Sequence, residues 1–251
     1  MKKILLASAA VFAIVSAPAS AADLPARAPI TKAPMMAPVL YNWSGFYIGA
    51  NGGGAWAHKC WTALPPAFVV PTAEGCHDAT GGVAGGQIGF NWQTGPLVLG
   101  IEAQGDWAQL TGSNVSLAFP LTTNRTRINS IFDVTGRVGY AWDAALLYVK
   151  GGGAWVRDRY DNRVTATGVL NDSASETRSG WVFGAGFEYG FSPNWSVGVE
   201  YDHFDFGSRN VNFSTPAGVL NITDRVRQDV DMVKAKLNWR FGWGGPVVAR
   251  Y

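Results

Sequence analysis

An all-β fold, an eight-stranded antiparallel transmembrane β-barrel with three short periplasmic turns and four long extracellular loops, is predicted by three observations. Hydrophobicity alternates with a period of two in segment after segment. Aromatic residues gather at the segment ends. Short and long connections alternate strictly between segments.

The alternation is clearest in GWVFGAGFEYGFSPNWSVGVEYDHFDFG, from Gly180 to Gly207. Trp181, Phe183, Ala185, Phe187, Tyr189 and Phe191 share one face, with Val182, Gly184, Gly186, Glu188 and Gly190 between them. After Ser192-Pro193-Asn194, Trp195, Val197, Val199 and Tyr201 oppose Ser196, Gly198, Glu200 and Asp202. Successive strand side chains point to opposite faces, so this is a hairpin with one greasy and one polar side.

The remaining segments follow the same rule. The first starts at Trp43, with Phe46 and Ile48 opposite Tyr47 and Asn51. Ile88, Phe90 and Trp92 then oppose Gln87 and Asn91. After Gly95-Pro96, Leu99, Ile101 and Trp107 face away from Glu102, Gln104 and Asp106. Phe132, Val134, Val138, Tyr140 and Trp142 oppose Asp133, Thr135 and Arg137. Leu147, Val149 and Trp155 oppose Tyr148 and Lys150. The last segment sets Val233, Ala235, Leu237, Trp239 and Phe241 against Lys234, Lys236, Asn238 and Arg240. Residues 58–79, 111–127, 158–179 and 208–227 are expected as long loops. The short turns near Gly95, Ala144 and Pro193 repeat at about 49 residues.

Trp43, Trp92, Trp142, Phe191, Trp195 and Trp239 sit by the short turns or termini, and Trp56, Trp107, Trp155 and Trp181 by the long loops. Trp181 to Phe191, about ten residues at about 3.3 Å each and a tilt of about 40°, spans roughly 25 Å, the height of a lipid-facing band. Two aromatic belts at that separation suit two membrane interfaces. The opposite face carries Glu102, Asp106, Asp133, Glu188, Glu200 and Asp202 with Arg137, Lys150, Lys234, Lys236 and Arg240. An eight-stranded barrel is only wide enough for side chains to fill, and buried charge must pair, so an ion-paired interior is expected over an open pore. Inward glycines leave room for a narrow water path as the alternative.

Composition narrows the classes. Charged residues are only 15%, Gly (31) and Trp (11) are abundant, and the net charge of +2 includes no basic cluster of the kind nucleic acid requires. Met1-Lys2-Lys3, an apolar run from Ile4 to Val15 and Ala19-Ser20-Ala21 read as a secretory signal peptide over residues 1–21. Residues 22–42 read as a Pro/Ala-rich periplasmic linker, residues 43–241 as the barrel and residues 242–251 as a periplasmic tail. Cys60 and Cys76 suit an oxidising compartment and are expected to bond to each other, contributing roughly 3 kcal/mol by closing a loop of about 15 residues. A metal or redox pair is the alternative, with His58 and His77 nearby but no CxxC spacing.

The ADLP that follows the signal peptide, the first segment WSGFYIGANGGGAW and the end LNWRFGWGGPVVARY together resemble the small alphaproteobacterial outer-membrane proteins, surface antigens called outer-membrane immunogenic or porin-family proteins. The resemblance implies an outer-membrane location with outer-membrane lipid and lipopolysaccharide as surroundings. It also implies that Leu237, Trp239 and Phe241 form a last-strand signal for the barrel assembly machinery. Finally, it implies that Ala22 and Asp23, at the mature start, are joined to peptidoglycan, with a free linker as the alternative.

No catalytic, cofactor or metal site is expected. His203, beside Asp202 and Asp205 with Ser208 or Ser214 further on, is the one strand-borne candidate for the His-Ser-acid chemistry of outer-membrane lipid-modifying enzymes. A lone histidine near a barrel rim is more often a hydrogen-bonded surface residue. The expectation is therefore a structural, surface-exposed barrel; a small-solute channel is the alternative and a lipid-modifying enzyme the third reading.

Overall fold

A computed structural model describes residues 41–67 and 69–241. The signal peptide, linker residues 22–40 with Ala22 and Asp23, and the tail 242–251 lie outside the described residues.

The eight alternating segments form β1 (Gly45–Ala63), β2 (Thr72–Thr94), β3 (Leu97–Val115), β4 (Thr122–Trp142), β5 (Ala145–Val164), β6 (Leu170–Ser192), β7 (Trp195–Ser214) and β8 (Leu220–Arg240). Each pairs antiparallel with the next, and β8 pairs with β1, from Tyr47↔Arg240 to Ala63↔Asp224, so the sheet closes and no edge is left unpaired. Two-residue turns join β2 to β3, β4 to β5 and β6 to β7. Tight hairpin turns favour residues that tolerate positive φ; Gly95 (φ 58) and Asp143 (φ 51) meet that requirement in the first two.

At the other end, the stretches read as long loops are mostly strand. The irregular connections shrink to the tips between Ala63 and Thr72, Val115 and Thr122, Val164 and Leu170, and Ser214 and Leu220. The reason is that inward side chains continue to pack there while the outward ones turn polar. The lipid-facing pattern stops, but the pairing does not. Bulges at Trp107/Leu110 and Ile128/Ser130 mark this change of environment on β3 and β4.

The apolar face points outward. Ile101, Val138, Leu147, Phe183, Val199 and Val233 are all well exposed. Trp92, Trp142, Phe191, Trp195 and Trp239 ring the short-turn end, and Trp56, Trp107, Trp155 and Trp181 the loop end. Trp43 departs from the expected belt. It is buried (2% exposed), its backbone N–H donates to Gln93 Oε1 (2.7 Å), and it packs with Tyr41, Val98, Leu146 and Tyr148 across the short-turn end of the barrel. Tyr41 Oη donates to the Trp195 carbonyl (3.2 Å). Residues 41–44 therefore sit on the barrel rather than in a free linker, because two aromatic rings there find apolar surface to cover.

Candidate functional site

The chemistry of this molecule lies inside the barrel, in layers stacked from the short turns to the loop tips. Above the Trp43 cap comes a lattice of buried charge. Each strand from β3 to β8 contributes at least one charged group to it, while β1 adds Tyr47 and Asn51 and β2 adds Gln87 and Asn91. Strand parity turns Lys150 of β5, Glu200 and Asp202 of β7, and Lys234 and Lys236 of β8 inward, and the register and stagger of the closed sheet bring them to one level.

Glu200 is the hub. One carboxylate oxygen lies 2.8 Å from Lys150 Nζ and 3.2 Å from Lys234 Nζ; the other lies 3.0 Å from Lys236 Nζ and accepts from Tyr148 Oη. Lys150 also meets Asp202 (3.1 Å) and, at longer range, Asp133 (3.7 Å) and Glu102 (3.9 Å). Lys234 is 2.6 Å from Asp202 and 3.9 Å from Asp106. Lys236 is 2.7 Å from Glu102, which also accepts from Tyr47 Oη (2.7 Å). Arg137 pairs with Glu188 (2.9 Å), and its guanidinium lies over the Tyr47 and Tyr148 rings at 4.7 and 5.0 Å. All these side chains are excluded from water.

The structure thus brings together ten of the eleven residues expected in a charge network. Arg240 stays apart. It lies at the short-turn rim, donates to the Pro193 carbonyl and stacks on Tyr41 at 4.4 Å, because its position on β8 is the last before the chain leaves the sheet. Uncharged side chains join the network beyond the expected charges. Asn91 accepts from Arg137 Nε (2.8 Å), and Gln87 bridges Asn51 and Asn238 (2.9 and 2.7 Å). Their inward parity was the signal. The space next to inward glycines is also filled: a Cβ on Gly89 would collide with Tyr47, and one on Gly186 with Tyr148. A hollow of about 10 Å³ lies beside Arg137 and Glu188 at the short-turn end, room for about one water.

The next layer is apolar. Ala57, Leu110, Ile128, Ile131, Val156, Val182, Phe204, Val230 and Met232 fill the cross-section, all 0–2% exposed. Beyond it Lys59 pairs with Asp158 (2.7 Å), and Trp61, Tyr160, Val211, Phe213 and Val226 form an aromatic plug. The last layer, among the loop-end arms, is acidic. Glu74 accepts from Ser116 (3.0 Å) and Asn124 (2.7 Å), and Asp172 from Asn221 (2.7 Å). Burial pushes the Asp224 carboxyl up to about 8, helped by the charges of Glu74 and Asp172; burial also raises Asp172.

On the outside, Cys60 and Cys76 are a directly opposed cross-strand pair on β1 and β2, joined by a disulfide. His58 Nε2 is 3.4 Å from Cys60 Sγ, with Asp78 2.7 Å from its other ring nitrogen. His77 points inward to Asn114 and Thr126. His203 faces outward and meets Asp231 at 2.8 Å and the Trp181 ring, whereas Asp202 is on the inner face of the same strand. The acid beside it in sequence is therefore across the sheet from it. Leu237, Trp239 and Phe241 all face outward.

A family model described as an outer membrane protein beta-barrel domain matches residues 7–241. The 31 kDa outer-membrane immunogenic protein of Brucella melitensis is 32% identical over 256 residues, covering 96% of this chain and 100% of that protein. The 25 kDa outer-membrane immunogenic protein of Brucella abortus is 26% identical over 245 residues, covering 96% and 99%. Among solved structures, the outer membrane protein OprG of Pseudomonas aeruginosa aligns with a TM-score of 0.47 at 12% identity, over 79% of this chain and 97% of that one.

Proposed function

For a chain that belongs to the outer membrane protein β-barrel family, and so resides in the outer membrane, we propose the role of a closed structural barrel. It supports the envelope and displays its loop-end arms at the cell surface. The observation that carries this reading is the double seal: a charge lattice and, above it, a full apolar layer, both buried from bulk solvent. A solute crossing the barrel would have to break buried ion pairs and then displace packed side chains, and breaking one buried pair alone costs about 3–5 kcal/mol.

In this reading the short turns face the periplasm, Leu237, Trp239 and Phe241 are read by the barrel assembly machinery, and lipopolysaccharide surrounds the loop-end belt. Attachment of Ala22 to peptidoglycan would add a tether to the wall; mass spectrometry of digested sacculi should yield the Ala22 peptide, and its absence would leave the barrel untethered. Closure is tested with protein refolded into liposomes. Swelling rates in small sugars should match protein-free vesicles, and sugar uptake that rises with protein content would replace this reading with a passive channel.

A further inference from the structure

We propose that the outward face of β4 and β5, just beyond the loop-end belt, binds the phosphate groups of the glycolipid in the outer leaflet; this rests on the loop end facing the cell exterior. β4 presents Arg125 and Arg127 there, and β5 presents Arg157, Arg159 and Arg163, with Asp161 as the one outward carboxylate among them. Asp161 is taken by Arg163 at 3.4 Å. Among the described residues, the side chains of Arg125, Arg127, Arg157 and Arg159 have no hydrogen bond or ion pair to the protein.

The register makes the charge unusual. Arg127 stands directly opposite Arg159, and the neighbouring pair sets Arg157 against Ser130. Like charges directly opposite in a sheet are destabilising, so an anion bound between or beside them would relieve the repulsion; Asp161, opposite Arg125, is the protein's own carboxylate next to the pair. Arg125 and Arg163 stand further out, seven and eight residues past Phe132 and Trp155, where they line an open groove among the loop-end arms with Thr111, Ser113, Thr123 and Thr165; the headgroup level is held by Arg157, with Arg127 and Arg159 next above it. Guanidinium forks are phosphate-binding chemistry.

Height selects the ligand. The cross-strand pair Phe132↔Trp155 belongs to the aromatic belt. Arg157 is two residues beyond it, a rise of roughly 5 Å at a tilt of about 40°, which is the level of lipid headgroups rather than acyl chains or free solution. The face formed by β7, β8, β1 and β2 is different near the same level. It carries Asp205, Asp229, Asp231 and Asp78 with His203 and His58, in the opposed pairs Asp205↔Asp229, Asp229↔His58 and His58↔Asp78. Those carboxylates disfavour phosphate at this level; the same face regains cations only further out, at Arg227, Arg225 and Arg209, where no two arginines stand directly opposed.

The test uses full-length mature protein in phosphatidylcholine nanodiscs doped with bis-phosphorylated lipid A, read by native mass spectrometry for retained lipid. Wild type should retain lipid A, and Arg127→Gln/Arg159→Gln should lower retention roughly tenfold or more. Dephosphorylated lipid A should not be retained, and Asp78→Asn/Asp229→Asn should behave as wild type. Heat-modifiable gel mobility verifies that each variant is a folded barrel; if the double variant fails it, Arg157→Gln alone serves, with a smaller loss. Equal retention by folded wild type and arginine variant, or of lipid A with and without phosphate, overturns the proposal. So does arginine-dependent binding of heparin in the absence of lipid A binding, which would assign the face to a soluble polyanion. Liposome swelling reads closure separately, so the structural role and this site fail independently.

Discussion

The two halves of the barrel interior solve the same packing problem differently. Near the short turns, six carboxylates (Glu102, Asp106, Asp133, Glu188, Glu200, Asp202) and four cations (Arg137, Lys150, Lys234, Lys236) interlock with two tyrosines. Toward the loop tips, Ile128, Val156, Phe204 and Val230 fill the bore with hydrocarbon. Both halves sit behind the same lipid-facing surface. The contrast shows that an outward apolar band does not dictate what lies inside; it only fixes which residues point there. A charged layer is selective, because each ion tolerates few geometries, but it is fragile when one partner is removed. An apolar layer excludes water without directional demands and loses stability in proportion to the volume deleted.

The largest expected effect comes from the hub of the charged half. Glu200→Ala leaves Lys150, Lys234 and Lys236 without their shared carboxylate and should destabilise the folded barrel by about 3–5 kcal/mol, measured by urea unfolding in detergent micelles with tryptophan fluorescence. A loss below about 1 kcal/mol would mean that the lattice is solvated and that the two halves are not distinct in kind.

In the apolar half, Phe204→Ala should cost about 3 kcal/mol in the same assay, with a loss that does not vary with salt. A salt-dependent loss would tie this layer energetically to the charges beneath it.

The smallest effect belongs to the acidic layer beyond both. Asp224 has a folded carboxyl raised to about 8 from an ordinary value of 3.8, so the folded state holds its proton more tightly than the unfolded chain. Its stabilising effect is therefore present in full below about pH 4 and is lost as pH rises towards 8. Asp224→Asn should leave the loop-end arms unchanged at pH 4 and stabilise them by about 1–2 kcal/mol at pH 9, read by hydrogen exchange of the β2 and β8 arms. Equal protection in both proteins at both pH values would remove this cluster from the comparison.

Much of this was legible in the chain. Alternation from Trp181 to Tyr201 gave the strands, the facing and the hairpin, because period-two patterning has one geometric meaning when one face is apolar. The charged residues of β3 to β8 could be assigned to the inside for the same reason. Trp43 lies inside instead of in the belt, and its sequence cannot show this, since a residue just outside a strand has no parity to constrain it. The strand arms beyond the loop-end belt look like loops in the sequence because their outward residues, such as Arg157, Arg159 and Arg227, are polar. Polar-out, apolar-in alternation lacks the greasy stripe that marks the lower strands.

By itself the sequence determined the strand number, the lipid-facing surface and the inward face of the charges on the belted strands, since each follows from local period-two pattern; the buried Lys59–Asp158 pair, in stretches without a greasy stripe, did not show. Only the tertiary structure decided which charges meet, that Arg240 stands outside them, that an apolar layer overlies them, and that Arg127 faces Arg159. Those facts depend on barrel closure and strand stagger, which set residues far apart in the chain at one height, and no short stretch of sequence encodes that height.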